Sequence, residues 1–299
     1  MKPIIEPVER ELIEKELTAE RYLRDTNNGG NVLYTLTAGN SPNAMREIGR
    51  LRELSFREAG GGTGHEVDID ELDTLENGYI QLIVWDPGER EIVGGYRYII
   101  PRDPYNKNLS TEHYFRFSEK FRHEFLPYTL ELGRSFVQPR YQGTGRYPKA
   151  IYSLDNLWDG LGAIVRQNPD IQYFFGKVTM YTSYPAEARN MLLYFLKKYF
   201  PDPDHLLEPI YPVMLEMDTR KMDGIFTGEN YQEDYKTLFR EIRKFRENIP
   251  PLINAYMSLS PTMRIFDTVK NPDFGDVEET AILITRSDLY MEKVERHFR

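Results

Sequence analysis

The chain has 299 residues, 40% of them hydrophobic and 28% charged, which is the balance of a globular protein with ample material for a buried core. With 47 acidic against 38 basic residues the net charge is −9, which argues against a general nucleic-acid binder. The absence of cysteine excludes disulfides, thiolate metal sites and a cysteine nucleophile, and suits a reducing compartment.

The N-terminal run Met1 to Glu11 has no apolar core of the signal-peptide kind. No apolar stretch approaches the roughly 20 residues needed to span a bilayer. The expectation is a cytoplasmic protein. Residues 6–24 are polar and helix-prone, and residues 1–30 read as an N-terminal arm ending at the turn signal Asn27-Asn28-Gly29-Gly30. Val32 to Thr37 alternates like a strand, and Ser41-Pro42 opens a helix to about Phe56. The glycine run Gly60 to Gly64 makes a loop, followed by the acids Asp68, Asp70, Glu71 and Asp73. Tyr79–Trp85 and Ile92–Ile100 form a hairpin across Asp86-Pro87-Gly88. After an aromatic-rich connection, a strand from Tyr128 to Val137 leads to a glycine turn. A helix over 147–167, a strand Tyr173–Met180 and a helix starting at Pro185 follow. This order predicts a mixed α/β sheet over 31–225. Residues 226–299 hold a charged helix over 231–247 and a strand-like Ala281–Thr285, forming either an appended extension or the end of the same sheet.

The chemistry concentrates between Glu131 and Arg146. A strand, a glycine turn and a helix N-terminus together gather backbone N–H groups that can face a phosphate. Gln142, Gly143, Thr144, Gly145 and Arg146 supply that turn, with Arg140 and Lys149 nearby. It is neither a Walker motif nor Gly-x-Gly-x-x-Gly. The acid Glu131 and the base Arg134 precede it. Three apart in a regular strand, they face opposite sides, so a structural ion-pair role for one of them stays open. Ser135 lacks the Gly-x-Ser-x-Gly elbow of a hydrolase. His65 and Asp70 share the His-x-x-x-x-Asp spacing of glycerolipid O-acyltransferases, a short pattern that arises readily by chance. The spacing of Asp68, Asp70 and Asp73 is not that of an EF-hand, and no metal site is indicated. Tyr96, Tyr98, Tyr114, Phe115, Phe117, Tyr173, Phe174 and Phe175 could line an acyl tunnel or serve as plain core.

Val137, Pro139, Tyr141, Gln142 and Gly145 match the strand–turn–helix signature of the GNAT acyltransferase superfamily, which the chain resembles, although Tyr147 stands where glycine or alanine is usual. Arg52-x-x-x-Phe56, Asp70-x-x-Asp73, Gly94-Gly95-Tyr96-Arg97 and Glu131-x-x-Arg134 recur in this order in the related acyl-homoserine-lactone autoinducer synthases. The chain is most similar to the hemolysin-like N-acyltransferases of ornithine- and glycine-lipid synthesis. The resemblance rests on Ile48 to Glu53, Gly62-Thr63-Gly64, Trp85-Asp86, Ile92-Val93-Gly94, Glu131 to Val137 and Pro250 to Ile253. It covers roughly residues 32–285.

The resemblance implies a GNAT-like mixed, splayed central sheet flanked by helices, with a C-terminal extension packing on the core; the segment beyond about 225 is expected to close the acyl pocket. It implies an N-acyltransferase that moves a fatty acyl group, often 3-hydroxylated, from acyl carrier protein to the α-amine of glycine, serine or ornithine. Glu131, Arg134 and Ser135 would form the catalytic group, with Glu131 as base, directly or through water. Val137 and Gln142 to Arg146 would hold the donor's phosphopantetheine, whether on carrier protein or on CoA, and no tightly bound cofactor is expected. Arg52, Asp70, Asp73 and Arg97 would form a polar cluster serving substrate or structure. The acidic carrier protein would dock on Arg140, Arg146, Lys149 and Arg166, and the lipid product implies transient contact with the inner membrane. The alternatives are an autoinducer-type signal synthase and a non-catalytic GNAT module binding an acyl group or a partner; a membrane-active toxin would need an insertion element that the sequence lacks.

Overall fold

The computed structural model describes residues 1–142, 151–215 and 217–298. Its centre is an eight-stranded sheet in the order β1-β2-β3-β4-β6-β7-β10-β9. In chain order the strands are β1 (Tyr22–Asp25), β2 (Val32–Leu36), β3 (Ile80–Asp86), β4 (Glu91–Ile99), β5 (Phe115–Phe117), β6 (Thr129–Val137), β7 (Tyr173–Met180), β8 (Leu207–Pro209), β9 (Arg264–Asn271) and β10 (Val277–Thr285). Strands β5 and β8 pair with each other as a separate ribbon. The helices are α1 (Arg10–Glu16), α2 (Pro42–Glu58), α3 (Glu71–Thr74), α4 (Ser153–Gln167), α5 (Ala186–Tyr199), α6 (Thr219–Ile225), α7 (Tyr231–Arg243), α8 (Pro251–Met257) and α9 (Met291–His297). Among the described residues, no helix is long and apolar enough to cross a membrane.

The N-terminal arm is less helical than its polarity suggests. Its helix ends at Glu16, and Tyr22–Asp25 instead add an edge strand to β2. At the other end, β9 and β10 continue the sheet beyond β7, with β10 paired to β7 from Glu278↔Met180 to Thr285↔Tyr173. Strand β9 escaped the sequence reading. Its alternation is broken by Asp267, which has φ 71° next to an irregularity in the β9–β10 register.

Two local features shape the middle of the sheet. First, β6 and β7 are parallel and pair only from Thr129↔Tyr173 to Leu132↔Gly176, although they run on to Val137 and Met180. They part at Gly176, where a Cβ would lie 2.5 Å from the Leu132 carbonyl oxygen. Second, the β4–β6 register slips between Gly95↔Phe136 and Arg97↔Gly133, and Arg134 takes φ 51°. This is a β-bulge with a non-glycine residue in the left-handed region, at a cost of about 1–2 kcal/mol.

Apolar side chains cover both faces of the sheet. Leu161, Leu192, Phe195 and Ile253 from α4, α5 and α8 join one buried cluster. Phe115, Phe121, Phe175 and Phe266 belong to a second. Ile48 and Leu51 of α2 meet Trp85 and Phe136 in a third.

Candidate active site

A cavity of about 1070 Å³ opens where β6 and β7 part. It matches or exceeds the ~300–1,000 Å³ of most small-molecule sites. Its apolar wall includes Phe56, Met180, Tyr184 and Leu252, and its polar wall Asp70, Arg97, Arg134, Lys177 and Glu279. A smaller cavity of about 50 Å³ adjoins the same fork and is lined by Leu132, Val178, Leu252, Tyr256, Ile282 and Ile284. Of the aromatic residues singled out in the sequence, Tyr114 faces the large cavity. Phe174 and Phe175 reach the small one, Tyr173 packs beside Phe125, and Tyr96, Tyr98, Phe115 and Phe117 are core.

The polar wall is the end of a buried belt of alternating charge. Arg52, fully buried on α2, donates Nη1 to Asp73 at 3.1 Å and Nη2 to Gln81. Arg97 on β4 donates Nη1 to Asp70 at 2.7 Å and lies 3.1 Å from Asp73. Its guanidinium also sits over the Tyr79 ring. The loop acids are held by their own backbone, because Asp70 and Asp73 form a reciprocal capping box at the start of α3. Burial opposes the Asp73 charge, but the Arg52 and Arg97 guanidinium groups outweigh it and hold this carboxyl well below the usual range.

Arg134 lies on this same side. Its Nε is 2.9 Å from Asp68, and its guanidinium covers the Phe274 ring. Burial pushes the Asp68 carboxyl up against the pull of Arg134 and Arg52. Regular alternation would turn Arg134 away from the face that carries Glu131; the bulge turns it back.

Glu131 stands behind the cavity wall, fully buried. Its Oε1 accepts from the Ser110 hydroxyl at 3.1 Å, the Thr111 amide at 3.0 Å and the Thr111 hydroxyl at 2.8 Å. Its Oε2 has no hydrogen-bond partner among the described residues. Ser110 does line the cavity, so a hydroxyl connects the cavity to this carboxylate. Ser135 is exposed at the mouths of both cavities. Val137 and Gln142 line the large one, and the Gln142 side chain donates to the Val137 carbonyl. Gly143, Thr144, Gly145 and Arg146, with Lys149, fall outside the described residues.

The proposed docking residues do not all gather here. Arg140 pairs with Glu89 at 2.8 Å and Glu91 at 2.6 Å. Arg166 sits in the last turn of α4, ~20 Å along the helix from Ser153 at the cavity. Asp70 is engaged with Arg97, Arg134 and its capping box, so the His65-to-Asp70 spacing does not form a pair among the described residues.

Two residues at the centre of the site escaped the sequence reading. Lys177 on β7 donates to the Ser110 carbonyl at 3.0 Å, lies 3.3 Å from Glu279 on β10, and sits over the Tyr114 ring. Burial pushes the Lys177 ammonium group down, partly offset by Glu279 and Glu131. Tyr114, whose hydroxyl donates to Asn271, is pushed up to about 12 by burial and by the nearby Glu279 and Asp273. A lysine amid Tyr173, Phe174, Phe175 and Val178, and a glutamate opening the apolar run Thr280 to Ile284, were the available signals.

A GNAT acetyltransferase domain model matches residues 51–149. The glycine N(alpha)-acyltransferase of Bacteroides thetaiotaomicron is 53% identical, covering 100% of this chain and 90% of that protein. The glycine N(alpha)-acyltransferase of Phocaeicola vulgatus is 52% identical, covering 99% and 93%. Two solved acyl-homoserine lactone synthases are more distant. BjaI, a CoA-dependent enzyme solved with SAM and isopentyl-CoA, has a TM-score of 0.32 at 14% identity over 54% of this chain and 72% of its own. LasI has a TM-score of 0.29 at 16% identity over 50% and 70%. With more than half of its residues shared along its whole length, the chain belongs to the family of these N-acyltransferases and is an acyltransferase of the GNAT type.

Proposed function

We propose that the protein transfers a 3-hydroxy fatty acyl group from acyl carrier protein to the α-amine of glycine, producing an N-acyl glycine that serves as a lipid precursor. The observation that carries this reading is the fork between β6 and β7. It joins a cavity roomy enough for a long acyl chain to a belt of paired charges, with Ser110 leading to the buried Glu131. Glycine is preferred to serine and ornithine as acceptor because both full-length relatives are named for it.

In this reading the thioester lies in the fork. Beyond Leu132 and Gly176 the two strands no longer pair, so their facing edges supply N–H donors for the oxyanion of the tetrahedral intermediate. The acceptor ammonium loses a proton to the Ser110 hydroxyl, which passes its own to Glu131. The amine then attacks the carbonyl carbon and the thiol departs. Arg134 and Ser135 form the rim around the reacting carbonyl. Val137 and the turn from Gln142 to Arg146 hold the phosphopantetheine phosphate; of that turn only Gln142 is described, and it lines the cavity. The same arm would arrive on CoA, but carrier protein is proposed as the donor. Exposed Ile151 and Leu154, the latter lining the cavity, support transient contact with a membrane during product release.

The purified chain, given 3-hydroxyacyl carrier protein and glycine, is expected to form N-acyl glycine detectable by mass spectrometry. Absence of product with glycine, alongside turnover of serine or ornithine, would reassign the acceptor.

A further inference from the structure

Glycine is a zwitterion, and its two charges need partners that the rest of the site has not already consumed. Arg97 is committed to Asp70 and Asp73, and Arg134 to Asp68. Lys177 differs. It is the first residue of β7 beyond the last pair with β6, so it stands at the fork itself. Its Nζ has the Ser110 carbonyl at 3.0 Å and one carboxylate neighbour, Glu279, at 3.3 Å.

Glu279 lies on the adjacent strand with its side chain only 6% exposed, and its Oε2, the oxygen facing Lys177, has no other partner among the described residues. Both side chains line the large cavity. The sheet does not require this ion pair, because β10 already pairs along the full length of β7. A buried lysine and glutamate are costly to desolvate and give little stability in return. Their position beside Ser110, the start of the proton route, gives them a different use.

We propose that Lys177 and Glu279 form the acceptor subsite, Lys177 Nζ holding the α-carboxylate of a small zwitterionic amino acid and Glu279 its α-ammonium group. This rests on the N-acyltransferase reading of the cavity. Held there, the ammonium nitrogen loses one proton through Ser110 to Glu131, which later returns it to solvent. The neutral amine forms the new C–N bond at the thioester carbonyl as the C–S bond breaks. The second nitrogen-bound proton leaves with the thiolate, so the products are amide and thiol. The preference for an amino acid over a simple amine comes from Lys177.

The test compares glycine with glycinamide, which lacks the carboxylate, in steady-state kinetics of the full chain with one acyl donor. Lys177→Met is expected to raise KM for glycine at least tenfold, leave the donor KM unchanged and cut the glycine-over-glycinamide preference at least tenfold. Lys177→Arg should retain the preference. Glu279→Gln should raise KM for both acceptors alike, and its near-identical shape keeps the test decisive if Lys177→Met fails to fold. Unchanged acceptor constants in folded Glu279→Gln, or an unchanged preference in folded Lys177→Met, would overturn the assignment. A wild-type chain that acylates no amino acid would refute the N-acyltransferase reading itself, and the subsite with it.

Discussion

Glu131 is a fully buried carboxylate whose two oxygens stand in different surroundings. One oxygen is saturated by Ser110 and Thr111, and the other is buried without a hydrogen bond. Such an orphan is costly unless it serves a purpose. Glu131→Gln is expected to lower kcat about 10²–10⁴-fold. Because Ser110 and Glu131 act on one proton, Ser110→Ala should also lower kcat, and the double variant should lose little beyond Glu131→Gln. Additive losses in that cycle would argue against the relay. The Arg52–Asp73–Arg97 cluster carries stability instead. Asp73 is the carboxylate within ion-pair distance of the fully buried Arg52 among the described residues, so Asp73→Ala leaves that charge uncompensated and is expected to cost about 3–5 kcal/mol, read from urea unfolding. Asp73 also sets a pH dependence. Its folded pKa lies below the unfolded value, so its stabilisation is complete above the usual aspartate pKa and is lost as pH falls through the depressed folded value. Asp73→Asn should flatten the acid limb of a stability–pH curve by this contribution. At this scale the sequence named Arg52, Asp70, Asp73 and Arg97 through their motif spacing, and the structure brings them within ion-pair distance. It did not expose Lys177 and Glu279, because their meeting depends on β10 lying beside β7, a pairing between distant parts of the chain that no local spacing encodes.

The decisive elements are the bulge on β6 and the parting of β6 from β7. Glycine at 176 lets the backbone of β7 approach the Leu132 carbonyl at the last paired position. Gly176→Ala would force that contact apart, and a cost of about 1–3 kcal/mol is expected in denaturant unfolding. Turnover should fall as well, since the fork would open at a different point. Strands β2, β3, β4, β6 and β7 were legible from their apolar runs and turn residues, and α2 and α5 from the prolines at their starts. The bulge was not. Arg134 is an ordinary residue in sequence, and its left-handed backbone is imposed by the β4–β6 register rather than by local propensity. Strand β1 was hidden for a similar reason, since a short polar edge strand carries almost no periodic signal.

At the scale of the molecule, the sheet continues past the fork through β10 to β9, and α8 lies across the opening. Leu252 of α8 lines both cavities. Leu252→Trp is therefore expected to shift the product toward shorter acyl chains, read as a change in the mass distribution of the N-acyl products rather than as a loss of the acceptor. The mixed α/β class and the splayed sheet were legible from element order and motif resemblance. That residues beyond 225 close the acyl pocket was an expectation from the sequence; which of them line the cavity, Leu252 and Glu279 among them, was not legible, because it is a consequence of packing. The most direct measurement is mass spectrometry of lipids from cells that supply 3-hydroxyacyl carrier protein, expressing either the wild-type chain or Glu131→Gln. The expected result is N-acyl glycine with the wild type and little or none with the variant. Equal amounts from both would remove Glu131 from the chemistry, and no new N-acyl amino acid from the wild type would contradict the proposed function.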